Sequence, residues 1–332
     1  MLKCMSIFKT IIFLITISSI SAIAQADSKK KRLAVDKVKS GLSVMVLGSG
    51  GPVATSDRVS AGYLIFIDGQ PRILMDAGGG VFQRIGKSGA KIGGLESILF
   101  SHLHMDHTGG MTPILAMSFF HNMAAGVQRD AAYNFIGPTE NEITPFPSTS
   151  GYIDGHFLAG EGLERYIAGF PRALNIGTFN YEVQSVSADT DDPMSVVSHS
   201  SDGVVIKAIA VNHGRTPSLA YRIEYKGKSI VYSGDTTSKT QNMITLAQDA
   251  DLVIYDTAIL DDSPAPFINA HTTPTRIGEV AVASGAKAVL LTHITGITEP
   301  NLDLVKHTIR EQGFNGRLKV AHDLDVINLH KH

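Results

Sequence analysis

Four side chains able to hold a metal ion fall within six positions, in the run Ser101-His102-Leu103-His104-Met105-Asp106-His107-Thr108-Gly109-Gly110. Imidazoles at i and i+2 can converge on one ion, and the next pair, Asp106 and His107, can turn to a second ion close by. Three nitrogens and a carboxylate suit zinc-like metals, and a pair of metals is an established hydrolytic device. A histidine-rich surface loop is the bland alternative. Against it, residues 95–100 read as a buried strand, and the glycine pair marks a turn into the next segment, so the ligands stand where a rigid strand ends and a loop begins.

Other ligand-type residues recur at strand ends further on. His213 follows an apolar strand over 204–211, and Asp235 lies in Ser233-Gly234-Asp235-Thr236 after the hairpin 218–232 turned by Lys226-Gly227. Asp256 closes the strand 252–255, His271 stands in Ala270-His271-Thr272-Thr273, and His293 follows the strand 288–291. The elements form a coarse repeat of strands then helices, twice, with chemistry-bearing residues at strand ends in both halves. An earlier hairpin spans 62–76, and Asp76 after it is read as structural. Ile277, Val280, Ala281 and Ser284 have helical spacing over 275–284, a further helix lies within 301–312, and one last strand runs from 318 to about 329. The stretch 111–211 reads as less regular, with a strand expected over 132–136 that ends in Gly137-Pro138. Its aromatics Phe146, Tyr152, Phe157, Tyr166 and Phe170 are taken as core or cover residues, some of them lining a lid, and His121, His156 and His199 as incidental. Gly48-Ser49-Gly50-Gly51-Pro52 lacks the third spaced glycine of a dinucleotide turn.

The 332 residues, 43% hydrophobic and 18% charged, suffice for one large domain or two modest ones. Lys3, Lys9, the apolar run 10–17 and the small residues around Ala24 and Ala26 have the form of a secretory signal peptide over residues 1–26, with no stable membrane span after cleavage. Its loss removes two lysines and no acid, moving the formal charge from −2 to −4. A basic leader follows over 27–41, where Lys29 to Arg32 read as a solvated tail, so nucleic acid is an unlikely partner on charge. The only cysteine, Cys4, lies in the signal segment, which leaves neither disulfides nor thiolate ligands.

The order H-x-H-x-D-H, His213, Ser-Gly-Asp235-Thr, Leu-Thr-His293 resembles the metallo-β-lactamase superfamily over roughly residues 43–329. Residues 47–52, Arg58, Asp251 to Thr257 and Ala270 to Thr273 make it most similar to the ribonuclease Z and arylsulfatase-like branch. The resemblance implies an α/β fold, a four-layer αββα sandwich over 42–332 with an insert at about 112–203, and two metals at one edge. His102, His104 and His213 would hold one ion, Asp106, His107 and His293 the other, and Asp235 would bridge them, with hydroxide between the metals as nucleophile. His271 and Asp256 would protonate the leaving oxygen, Asp256 standing where ribonuclease Z has a glutamate. Two zinc ions are the default, and manganese or iron would also fit. Only residues 214–234 separate His213 from Asp235, leaving no room for the tRNA-gripping arm of ribonuclease Z. With the signal segment, this favours a small-molecule substrate: a sulfate ester or a phosphodiester, hydrolysed in the periplasm or outside the cell. The alternatives are tRNA 3′ processing, β-lactam or lactone hydrolysis, and a non-catalytic metal-binding protein. A B1-type lactamase would need a cysteine, a B3-type would not need Asp235, and glyoxalase II fits the His271 segment less well. A homodimer is left open.

Export predicts that N-terminal sequencing of the protein recovered from its native host begins after Ala24 or Ala26. Met1 intact on soluble cytoplasmic protein would reverse the reading.

Overall fold

A computed structural model of the protein describes residues 32–329 except residue 54. Residues 1–26, read above as a signal peptide, and the start of the expected basic leader lie outside the described residues. The later part of the leader is tied down: Asn328 accepts from Lys39 N at 2.9 Å and donates to Lys37 O at 3.1 Å.

The strands are β1 (Leu42–Gly48), β2 (Gly62–Ile67), β3 (Gln70–Met75), β4 (Ser97–Leu99), β5 (Tyr133–Pro138), β6 (Tyr181–Val186), β7 (Ser195–His199), β8 (Val205–His213), β9 (Thr216–Tyr225), β10 (Lys228–Tyr232), β11 (Leu252–Asp256), β12 (Ala288–Thr292), β13 (Arg317–Val320) and β14 (Val326–Leu329). The helices are α1 (Val81–Ser88), α2 (Met105–Thr108), α3 (Met111–Ala125), α4 (Thr149–Phe157), α5 (Gly169–Ala173), α6 (Asn242–Leu246), α7 (Pro274–Ala283) and α8 (Leu302–Glu311). None of the described helices is long and apolar enough to cross a membrane.

Two seven-stranded sheets face each other, in the orders β14-β1-β2-β3-β4-β5-β6 and β13-β12-β11-β10-β9-β8-β7. Their central strands are buried on both faces, so alternate side chains enter different layers. In β1, Val44 and Val46 join the layer between the sheets, while Met45 and Leu47 pack outward with Val81 and Ile85 of α1 and Ile114 and Leu115 of α3. In β11, Leu252 and Ile254 lie between the sheets, and Val253 and Tyr255 pack with Ile277 and Val280 of α7 and Val305 and Ile309 of α8. The result is the expected αββα order of layers.

Register brings the chemistry to one edge. β10, β11 and β12 run parallel, pairing Tyr232 with Ile254 and Asp256 with Thr292. β3, β4 and β5 are also parallel, aligning Met75, Leu99 and Ile136. The β8–β9 hairpin closes at His213↔Thr216. Residues 214–234 are filled by β9, β10 and their turn.

Two expectations need correction. The last strand is two: β13 extends the second sheet, and β14 pairs with β1 in the first, from Met45↔Val326 to Leu42↔Leu329. Leu324, with φ of +70°, breaks the strand between them. The stretch 111–211 is also regular. α3 is apolar nearly all round, so it offers no helical periodicity to read. Between residues 112 and 203 the chain supplies β5 and β6 to the first sheet and β7 to the second.

Ile254, fully buried beneath the Asp256 edge, should not tolerate truncation. Ile254→Ala is expected to cost about 2–5 kcal/mol by urea unfolding. A cost below about 1 kcal/mol would mean that the layer repacks around it.

Candidate metal centre

After β4 the chain turns at Phe100-Ser101 into His102 and His104, and His104 stands at the N-terminal end of α2, which carries Asp106 and His107. Asp235 follows β10, Asp256 ends β11, His271 precedes α7, and His293 follows β12. All the candidate side chains therefore meet at one edge of the sandwich.

They gather in overlapping groups, each with one ligand atom per residue within 4.8 Å of the others: His102, His104 and His213; His102, His107 and Asp235; Asp106, His107 and His293; Asp235, Asp256, His271 and His293. Asp235 stands between them. Its Oδ1 is 3.5 Å from His107 Nε2, and its Oδ2 is 3.3 Å from His293, 3.9 Å from His213 and 4.0 Å from His102 (Nε2 in each case). A carboxylate reaching histidines of both sets has the placement a bridging ligand needs.

The donor set fits divalent cations. His102 Nε2 and His104 Nδ1 face each other at 2.9 Å, and the buried His107 Nε2 has no hydrogen-bond partner. Burial, together with the charge of His107, holds His102 well below the ordinary imidazole range. Burial, with His213 and His107 beside it, brings His104 down to about 4. His213 is lowered by burial as well. These three offer unprotonated nitrogens, the form in which imidazole binds metal. Burial would raise Asp235, but His293 and His107 outweigh it and hold the carboxylate well below its usual range.

A further layer aims the ligands. His107 Nδ1 donates to Asp76 Oδ2 at 2.7 Å, and His213 Nδ1 donates to Ala270 O at 2.6 Å, which turns each Nε2 toward the cluster. Asp76 also accepts from Ser101 N, Ser101 Oγ and Tyr232 Oη. Of the two roles open to Asp76 from the sequence, facing the metal site or orienting the turn, the structural one is favoured; in the structure it orients a candidate ligand. A carboxylate at the C-terminal end of a strand was the available signal. Asp76 and His293 each have φ of +54°, in the left-handed region that non-glycine residues seldom adopt. Gly51 lies against His293, and a Cβ there would meet the ring at 2.8 Å.

His271 Nδ1 lies 2.8 Å from Asp256 Oδ2, so the side chain one methylene shorter than glutamate still reaches. Burial pulls His271 down, but the Asp256 charge and hydrogen bond raise it to about 9. A cavity of about 960 Å³ opens over the cluster, lined by His271 with Pro52, Met105, Arg215, Asn269 and Ala270 among others. Of the aromatics assigned to the cover, Phe146 stands edge-on to His104 with centroids 5.2 Å apart. His121 and His156 make local contacts with Ile92 N and Glu164, away from the cluster.

Residues 154–294 match a family model described as "Beta-lactamase superfamily domain", and residues 42–128 one described as "Anti-Pycsar protein Apyc1". A ribonuclease Z of Mycobacterium bovis is 26% identical over 304 residues, covering 87% of this chain and 99% of its own length. The fold is shared with human tRNase Z, short form, at a TM-score of 0.61 and 20% identity, covering 87% of this chain and 100% of that one. It is shared equally with the metallo-β-lactamase fold protein YhfI from Bacillus subtilis, at a TM-score of 0.61 and 18% identity, covering 86% and 98%.

Elemental analysis of protein purified without chelator should find two transition-metal ions per chain. Asp235→Ala should lose most of both, and Asp76→Ala should weaken metal affinity by about 10–100-fold with every ligand still present. Full metal content in the Asp235 variant would show that this carboxylate does not bridge.

Proposed function

Because the chain belongs to the metallo-β-lactamase superfamily of metal-dependent hydrolases, we propose that it hydrolyses phosphodiester bonds with a pair of divalent metals, zinc by default. The observation that carries the reading is the His271–Asp256 pair beside the seven-ligand cluster, in a chain alignable over 87% of its length with a ribonuclease Z. His102, His104 and His213 would hold one ion, Asp106, His107 and His293 the other, with Asp235 between. Bound there, the metals supply acidified water and positive charge for the ester oxygens.

The protein's own groups manage the leaving oxygen. Asp256 holds the Nδ1 proton of His271 and favours its protonated form, so Nε2 is left to give up a proton. Asp256 Oδ1 also lies 3.6 Å from His293 Nδ1, beyond hydrogen-bond distance, and both atoms are buried without a hydrogen-bond partner among the described residues. A sulfate ester would use the same groups, but the relatives named ribonuclease Z support the phosphodiester. They equally support RNA as a second reading, against the expectation from charge and the short 214–234 connection.

His271→Ala separates acid catalysis from metal binding. Turnover of a dinucleotide, whose alkoxide leaving group needs a proton, should fall by about 10²–10⁴-fold. Bis(p-nitrophenyl) phosphate, whose leaving group does not, should lose about tenfold at most, with metal content unchanged. Equal losses on both would remove His271 from the acid role, and cleavage of p-nitrophenyl sulfate alone would restore the sulfate ester.

A further inference from the structure

Arg215 lies in the turn between β8 and β9 and is the one lysine or arginine among the described residues lining the cavity. Five other arginines of the fold are neutralised: Arg58 by Glu299, Arg72 by Glu96, Arg84 by Asp323, Arg222 by Glu224 and Arg276 by Glu279. Among the described residues the Arg215 guanidinium meets only a carbonyl, Ile143 O, 3.2 Å from Nη2. Its backbone is gripped too, since Asn141 Nδ2 donates to Arg215 O at 2.9 Å. Asn141 Oδ1 in turn accepts from Ile143 N, Thr144 N and Thr144 Oγ1, stapling the loop that holds the arginine. A second cation without a carboxylate partner, Lys239, stands behind the cavity residue Asn269, with Nζ 3.1 Å from Asn269 Oδ1.

An exposed arginine normally moves freely and carries little information. This one is held at both backbone and side chain, in the lining of a cavity that also takes the apolar Pro52, Met105, Pro266 and Ala270 and the polar Ser60, Thr216 and Asn269. One carbonyl leaves most of its forked donors unused, and that fork matches the oxygens of a phosphate. The scissile phosphate belongs to the metal cluster at the cavity floor. We propose that Arg215 is the subsite for a second phosphate, attached to the same nucleoside as the scissile diester. This rests on the phosphodiesterase reading and narrows its substrate to nucleotides bearing two phosphates, either a terminal phosphate or the next linkage of a chain.

Titration calorimetry with the metal-loaded protein tests binding directly. Thymidine 3′,5′-bisphosphate should bind about tenfold more tightly than thymidine 5′-phosphate. R215A should lose that preference and R215K should keep part of it. R215Q, which retains a polar side chain, serves should R215A fold poorly. Catalysis gives the second readout: thymidine 5′-(p-nitrophenyl phosphate) with a 3′-phosphate should lose about tenfold more kcat/KM in R215A than the ester without it, mostly through KM. A third ester whose 3′-phosphate is linked onward to another nucleoside tells a chain phosphate from a terminal one. Equal binding of the two thymidine phosphates by wild type, or equal effects of R215A on both esters, would overturn the subsite. Tight bisphosphate binding with no turnover of any ester would instead overturn the phosphodiesterase reading and leave the anion site standing.

Discussion

One buried carboxylate ties the two halves of the molecule together at the reactive edge. Asp76 comes from the end of β3 in the first sheet and accepts from Tyr232 at the end of β10 in the second, at 2.6 Å. It also takes both donors of Ser101 and the Nδ1 proton of His107. A fully buried anion is tolerated only when donors surround it, and here the donors are parts of the site. The spacing between the sheets, the turn after β4 and the aim of His107 are thus set by the same group. Tyr63 and Thr292 make a second contact across the layers at 2.5 Å, and Tyr221 Oη reaches Phe100 O at 2.8 Å.

The histidines divide by their surroundings. His102, His104 and His213 are lowered by burial and by neighbouring histidines, whereas His107 and His293, though buried, face carboxylates that raise them. Backbone strain at His293 persists because neighbours hold it: Gly51 lies against its ring, and Ile294 N donates to Ser49 O. The loop that carries Ser49 is itself anchored by Asp323, which accepts from Ser49 N, Ser49 Oγ, Val59 N and Arg84 Nε.

Much of this was legible in the sequence because local order and strand-end position carry it. The H-x-H-x-D-H run, the hairpin before Asp235 and the residues at the ends of β11 and β12 can each be placed from apolar runs and turn residues alone. What escaped depends on partners distant along the chain. Asp76 is read as a turn residue until Tyr232 and His107 arrive beside it. Arg215 is one more surface arginine until the loop at Asn141 closes over it. α3 hides because its exposed face, with Phe120 and Met123, is as apolar as its buried one and leaves no amphipathic period, and the break at Leu324 because a single residue of positive φ leaves no compositional mark.

The crossing at residues 321–325 has a consequence for synthesis. β14 completes the first sheet by pairing with β1, the first strand of the described fold. Until Leu329 can lie beside Leu42, β1 has one open flank, and until Asp323 arrives the Ser49 loop lacks its anchor. A ribosome delivers those residues after every other strand of the described fold. The reactive edge therefore cannot be finished until β14 has been made, and one flank of β1 stays open until then. A fold built this way stays open until that strand is free to pair.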